Sequence, residues 1–445
     1  MTLILKNFIP TNFLLKTFIL LFCLVACAAA ADSIPLAADV AKAMPASEAL
    51  YLDIHQNPEL SLHETHTAAK LADRLRSLGY DVTTGVGGTG IVAILKNGNG
   101  PVVMLRTELD ALPIEEQTGL PYASKVKWKS ASGAEIPVMH ACGHDLHMAA
   151  LVGTAAVMAE NRQRWHGTLM LIGQPAEEVI QGAEAMLKDG LFTRFPKPDY
   201  AIAVHDTPEL PAGQIGFTPG YALTSADSVD VVIYGRGAHG SRPDLAIDPI
   251  VIAAQTVLAW QTIVSREIKP GEHAVITVGS FQAGTKNNII PDEAHLQLTV
   301  RTYDPEVRKQ VLAAIERMAK AEAAAAGAPR EPTVKVFEST PATYNDPELT
   351  NRLAKVLAAD LGADNVKQVP PGFASEDFSR YGEAGVKSVQ LGVGAIDPEK
   401  FAAAKKSGEI LPGLHTARFA PDLKPSLRTA IETEVISLLN LMGNK

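Results

Sequence analysis

Near Ala226 the apolar pattern of this chain changes rhythm, and that change limits its possible folds more than any other feature. Before it, stretches of helical spacing alternate with short apolar runs. The spacing predicts helices over Ser47–Ile54 and Thr65–Leu78, the second closed by Gly79-Tyr80. It predicts strands over Gly90–Leu95 and Val102–Arg106, a helix over Ala149–Glu160, a strand over Leu169–Gly173, a helix over Glu184–Asp189 and a strand over Ala201–His205. Such alternation implies an α/β domain whose mostly parallel mixed sheet is flanked by helices. After Ala226 the order is strand (Val229–Tyr234), helix (Asp248–Ile263), two strands (Ala274–Phe281, Ala294–Arg301), a long Ala-rich helix (Asp304–Ala325) and a strand (Thr333–Phe337). That β-α-β-β-α-β order is the ferredoxin-like α+β unit. The chain then returns to helix and strand over Pro347–Leu361, Ser388–Val393 and Pro425–Met442. The expected division is one domain over 32–225 and 339–445, interrupted by an inserted second domain over 226–338.

The chain has 445 residues, enough for two or three domains, with 47% hydrophobic and 20% charged residues. Its net charge of −9 and the lack of a basic run argue against nucleic acid as a partner. Residues 1–31 differ from the rest. Lys6 and Lys16 are their only charges, an apolar run follows, and small residues lead to Asp32. This order reads as a secretory signal, so the chain is expected to be exported, periplasmic or secreted in a bacterium. A retained anchor is the alternative, but the uninterrupted apolar run falls short of the roughly 20 residues a span needs. Leu24-Val25-Ala26-Cys27 also resembles a lipoprotein box, which would lipidate Cys27; cleavage after Ala30 or Ala31 is the competing reading. Past this region one cysteine remains, Cys142. A lone thiol cannot form an internal disulfide, and metal ligation or nucleophilic catalysis would explain it.

Four short segments carry metal chemistry. In His140-Ala141-Cys142-Gly143-His144-Asp145, a thiolate and an imidazole two residues apart can point into one loop cavity, and both suit zinc and similar ions. Asp145 is placed to accept the hydrogen bond that orients a ligand imidazole. In Gln174-Pro175-Ala176-Glu177-Glu178 a strand ends in adjacent carboxylates, one free to bind metal and one to act as a base; a plain acidic turn is the alternative. His205 ends an apolar strand, and His415 comes late in the chain. Each would be unremarkable alone. Together they supply a thiolate, three imidazoles and two carboxylates, enough for two metal ions.

These segments, with His55–Ser61, Leu105–Glu116, Gly237–Pro243, Asn288–Asp292 and Ser375–Phe378, resemble the M20 metallopeptidases, and among them the aminoacylase-like amidohydrolase branch that includes hippurate hydrolases. The resemblance runs from about Leu52 to the C-terminus. It implies metal ligands Cys142, His144, Glu178, His205 and His415, with Glu177 as acid/base and Asp110 supporting the metals. It implies that His239 and Asn288 of the inserted domain reach the substrate, His239 across a dimer interface. Arg301 is a further candidate for holding substrate. The implied cofactors are two divalent ions, zinc first, with manganese, cobalt or nickel also fitting. The implied activity is hydrolysis of the amide bond of an N-acyl amino acid, or of a short peptide, by a homodimer formed through the lid domain. Glu108 stands where the family commonly has Asp, and Gly240-Ser241-Arg242-Pro243-Asp244 lacks a second family histidine. His147 matches a family histidine but is not read as a ligand. The rivals are a dipeptidase or carboxypeptidase of the same fold, in which Arg242 could bind a substrate carboxylate, a non-catalytic binding protein, and a cysteine hydrolase using Cys142.

Overall fold

The computed structural model describes residues 36–443. The expected signal segment and Cys27 lie outside these residues. Among the described residues no helix is long and apolar enough to cross a membrane.

The larger sheet has eight strands. In spatial order they are Asp81–Val86, Gly90–Asn97, Gly167–Gln174, Val102–Glu108, Tyr200–Pro211, Lys387–Ile396, Ile215–Phe217 and Val366–Gln368. The four from Gly167–Gln174 to Lys387–Ile396 are mutually parallel, and the two at the Asp81 edge are antiparallel. Parallel strands are buried on both faces, so their side chains alternate between two cores instead of between core and water. Val103, Leu105, Leu169, Leu171, Ile202 and Val204 face a core built with the helices Ala37–Gln56, His144–Glu160 and Leu423–Met442. Their neighbours Met104, Met170, Ile172, Ala201 and Ala203 face the other core, with Met186, Leu191, Phe378 and Tyr381.

Between Ala226 and Thr340 the chain builds a second, antiparallel sheet of four strands. Their spatial order is Ala274–Ala283, Glu293–Thr302, Ala226–Tyr234, Thr333–Thr340. This is the strand order of a ferredoxin-like unit. It has its own core, in which Val229, Val231, Leu296 and Leu298 meet Trp260, Val311 and Ile315 of the helices Pro249–Thr262 and Pro305–Ala325.

Four helices begin at an Asp-Pro pair: Asp248, Asp304, Asp346 and Asp397 each accept a backbone N–H of the first turn, and proline follows. The carboxylate satisfies an otherwise orphan donor, and proline lacks the N–H that position would leave unused. Asp397-Pro398 starts a helix, Pro398–Ser407, that the apolar pattern did not predict. Its one buried residue is Ala404, so it carries no apolar stripe to detect.

The helix expected from Ala149 begins five residues earlier, at His144. Gly143 caps it with φ +77°, a left-handed conformation that favours glycine. A Cβ at Gly143 would also lie 2.3 Å from Asp206 Oδ2. The early start places His144 and His147 on one face of a rigid helix, three residues apart.

Candidate metal centre

The carboxyl ends of parallel strands form the natural mouth of an α/β sheet, and the expected residues gather there. The Val102–Glu108 strand ends at Glu108, and the Gly167–Gln174 strand runs into Glu177 and Glu178. Pairing of Tyr200–Pro211 with Val102–Glu108 stops at Ala203, so His205 and Asp206 lie just beyond it. The helix starting at His144 opens on the same end. The His415 loop arrives from far along the chain and is fixed to the cysteine loop by a bond from His415 N to Ala141 O, 2.8 Å.

Five side chains meet there. Cys142 Sγ lies 3.2 Å from His415 Nε2 and 3.6 Å from His205 Nε2. Glu178 Oε2 is 3.2 Å from His415 Nε2, and Glu178 Oε1 is 3.9 Å from His144 Nε2. His144 and His205 stand edge to face with ring centroids 5.9 Å apart. Glu177 Oε2 approaches His144 Nε2 at 3.8 Å. Backbone strain concentrates here as well: Ala176, Ile180 and His415 have φ of +50°, +58° and +61°. Non-glycine residues hold such angles only where their surroundings impose them.

The donor set fits cations. His144 Nε2 and Glu178 Oε1 are buried, face each other and make no hydrogen bond among the described residues. Orphaned buried polar atoms are costly unless something pairs with them. Thiolate, imidazole and carboxylate together suit a transition metal. Burial pushes Glu178 up to about 7, against the pull of His144. Burial also raises Cys142, and Glu178 and Glu177 raise it further. Nucleophilic attack and metal ligation both need the thiolate, which a cation bound among these side chains would stabilise. Burial likewise holds Glu177 well above the usual carboxylate range, with Glu376, Glu178 and Asp377 adding to it.

The side chains beneath this cluster hold it in place. His144 Nδ1 donates to the Asp110 carbonyl at 2.8 Å, with Asp110 Oδ1 3.6 Å away. Burial alone would lower His144, but the Asp110 bond and the charges of Glu108 and Glu178 carry it to about 10. Asp110 Oδ2 accepts from Ser61 Oγ at 2.6 Å and from Glu178 N at 3.0 Å, so one carboxylate ties the Ser61 segment to the Glu178 ligand loop. His205 Nδ1 donates to the Asp206 carbonyl at 2.7 Å, leaving Nε2 toward Cys142. His147 bonds Glu108 Oε2 at 2.9 Å through Nδ1, and its Nε2 accepts Asp206 N at 2.9 Å. His147 also stands with Glu108, His144 and His205 in a group whose ligand atoms lie within 4.8 Å of one another, close enough to hold an ion.

The expected orienting role of Asp145 is corrected. Its Oδ2 bonds His55 Nδ1 at 2.6 Å and does not reach His144. Successive helix residues project about 100° apart, so a residue cannot turn back onto its neighbour's ring. Instead Asp145 and Glu116 grip buried His55 from its two nitrogens, at 2.6 and 3.2 Å. Burial opposes the charge on His55, but the two carboxylates prevail and raise it to about 10.

A second buried network was not foreseen. Arg106, fully enclosed, bonds Glu108, Glu376 at 2.7 Å, Asp377 at 3.1 Å and Gln174 at 3.0 Å. Glu376 and Asp377 stand close enough to Glu177 for the three carboxylates to share one ion. The signal was present in Ser375–Phe378, but nothing in its local pattern tied it to Arg106, 270 residues earlier in the chain.

His239 and Asn288 lie on the second sheet's unit. His239 sits on a two-residue strand paired with Ile289, and both residues line an open cleft of about 610 Å³ with Lys286 and Asp292. None of the five clustered residues lines it. Arg301 lies elsewhere, opposite Val275 in the four-stranded sheet, and contributes neither to this cleft nor to the metal cluster. Arg242 bonds Asp244 at 2.9 Å through Nε and 2.7 Å through Nη2, an exposed pair that leaves the guanidinium's other donors open to a substrate carboxylate.

Comparison with known proteins agrees with this geometry. The sequence model of peptidase family M20/M25/M40 matches residues 104–407. A hippurate hydrolase from Campylobacter jejuni is 39% identical over 334 residues, 74% of this chain and 83% of that protein. An N-acetylcysteine deacetylase from Bacillus subtilis is 38% identical over 335 residues, with the same coverage. The crystal structure of the Bacillus subtilis YXEP protein, a dinuclear metal-binding peptidase from the M20 family, superposes with a TM-score of 0.71 at 30% identity. It covers 90% of this chain and 98% of that one.

Proposed function

The chain belongs to peptidase family M20/M25/M40, and from that premise we propose that it removes the acyl group from N-acyl amino acids, with Glu177 as general acid/base. Hydrolysis of an amide or peptide bond is the family's chemistry. The names of the two relatives, hippurate hydrolase and N-acetylcysteine deacetylase, support the N-acyl substrate class. The observation that carries the reading is the convergence of Cys142, His144, Glu178, His205 and His415 with Glu177 at their edge.

Those five residues would hold two divalent ions, zinc first, with manganese, cobalt and nickel also suited to the mixture. Bound there, the ions would supply Lewis acidity to the scissile carbonyl and lower the pKa of water. Glu177 takes a proton from the attacking water and returns it to the leaving nitrogen. Its buried, carboxylate-rich surroundings favour the protonated form, which suits the second of these tasks. Asp110 keeps the His144 ring aligned and the Glu178 loop in place. Cys142 acts as a ligand, so no acyl-enzyme forms. His239 donates toward the developing oxyanion, and Asn288 holds the substrate.

His239 does this from a second copy of the chain, in a dimer formed through the unit that begins at Ala226. The apolar residues Val251 and Leu258, 51% and 71% exposed on the Pro249–Thr262 helix, support such a contact. The first 31 residues direct export. The test is to purify the chain without them, measure bound metal, and assay N-acyl amino acids beside dipeptides, with Glu177→Gln as the blank. Release of the amino acid from N-acyl substrates, lost by about 10²–10⁴-fold in the variant with its metal retained, is the expected result. Cleavage of dipeptides alone would replace this reading with the dipeptidase one.

A further inference from the structure

The cleft beside His239 has a chemistry of its own. Ser241 N–H donates to His239 Nδ1 at 3.1 Å, so that nitrogen carries the lone pair and Nε2 carries the hydrogen. Ser241 Oγ adds a second contact to Nδ1 at 2.7 Å. His239 therefore presents a donor. The Asn288 carboxamide makes no hydrogen bond and the Lys286 ammonium no ion pair among the described residues. Asp292 is the one carboxylate lining the cleft among the described residues, and its Oδ1 accepts from Gly237 N at 2.8 Å. Arg242, the other nearby cation on this segment, is paired with Asp244. The cleft thus offers two neutral donors and the Lys286 ammonium, with the Asp292 carboxylate also on its wall.

We propose that Lys286 selects substrates that carry a second carboxylate besides the one every N-acyl amino acid has. This rests on the reading of His239 and Asn288 as substrate-facing. Two neutral donors are enough to hold one carboxylate or carbonyl, and the Lys286 ammonium on the same cleft wall is placed to meet a second carboxylate. A dianion is repelled at long range by the chain's net charge of −9, so its capture needs a local cation. The second carboxylate lies either on the amino-acid side chain or at the far end of the acyl arm.

Binding to the Glu177→Gln protein is measured by calorimetry, so that turnover is not required. The first pair is N-acetylglutamate against N-acetylglutamine. The second is N-succinylalanine against N-succinamoylalanine. The acid of one pair should bind more tightly than its amide, and Lys286→Gln should erase roughly 10-fold of that preference, the size of one hydrogen bond to a charged group. Lys286→Glu should invert it, and raised salt should weaken it. The pair that responds tells which end carries the carboxylate. The proposal is overturned if neither pair discriminates, if Lys286→Gln weakens acid and amide equally, or if Arg242→Gln moves the preference instead. Hydrolysis, assayed separately with Glu177 intact, decides the acylase reading independently.

Discussion

Glu434 lies in the Leu423–Met442 helix, against the helix that begins at His144, and is 2% exposed. Among the described residues its one side-chain hydrogen-bond partner is Thr154 Oγ1, which donates at 2.6 Å. Burial raises its pKa to about 8, with Thr154 and His147 pulling the other way. The ordinary value for glutamate is 4.5. Below 4.5 the group is protonated in both folded and unfolded chains and stability is unaffected. Between 4.5 and 8 the unfolded chain has lost the proton and the folded one keeps it, so stability falls as pH rises. Integrating that difference gives a cost of about 1 kcal/mol at pH 5 and about 3 kcal/mol at pH 7. Glu434→Gln keeps the acceptor for Thr154 and removes the titration. The variant should therefore be more stable than the parent, by an amount that grows between pH 5 and 8 and then levels off. Urea midpoints of both proteins across that range measure it. A gap that stays flat with pH, or a Gln variant that is the weaker at pH 7, would refute the argument from burial.

Three further outcomes follow from the metal centre. Cys142→Ala should lower bound metal, read by elemental analysis, because its thiolate stands between His205 and His415; full occupancy would remove it from the ligand set. Gly143→Ala should cost at least about 2 kcal/mol, combining a left-handed φ with a Cβ driven against the Asp206 carboxylate, and should weaken metal binding through the misplaced helix start. Chelation should lower the thermal midpoint as well as activity. Among the described residues, the buried carboxylates Glu108, Asp110, Asp145, Glu177, Asp206, Glu376 and Asp377 have Arg106 as their one buried guanidinium. An ion at about 1,000 times its Kd adds about 4 kcal/mol of stability. An unchanged midpoint after complete metal removal would show that the folded site needs no added positive charge.

What the sequence disclosed follows the range of each interaction. The central strands were visible because parallel burial leaves continuous apolar runs, as in Leu169–Ile172 and Ala201–Val204. The inserted sheet was visible because its strands alternate, as Ala226–Tyr234 does in its burial. The Asp81–Val86 strand was missed: it is an antiparallel edge strand with one buried residue, Val86, and shows no pattern strong enough to find. The start of the helix at His144 was misplaced because polar residues fill its first turn. Those residues are buried for the site they serve, not for packing, so periodicity could not reveal them. Ligand types were legible from chemistry and resemblance, whereas the side chains that support them were not, since their partners lie far away in the chain.

The two aspartates of the metal region make the same point more sharply. Asp145 adjoins His144 in sequence and was expected to orient it, yet Asp110, 34 residues away, holds that ring. Adjacency along a helix turns two side chains in different directions. Adjacency at the mouth of a parallel sheet brings distant loops together, because every strand end opens on the same side. That geometry places the Ser61, Asp110, His144 and Glu178 segments in one contact set and lets a single carboxylate brace two ligands. The fold therefore does more than carry the ligands. By aligning the strand ends it decides which carboxylates face a metal and which, like Asp145 with His55, serve as internal counter-charges.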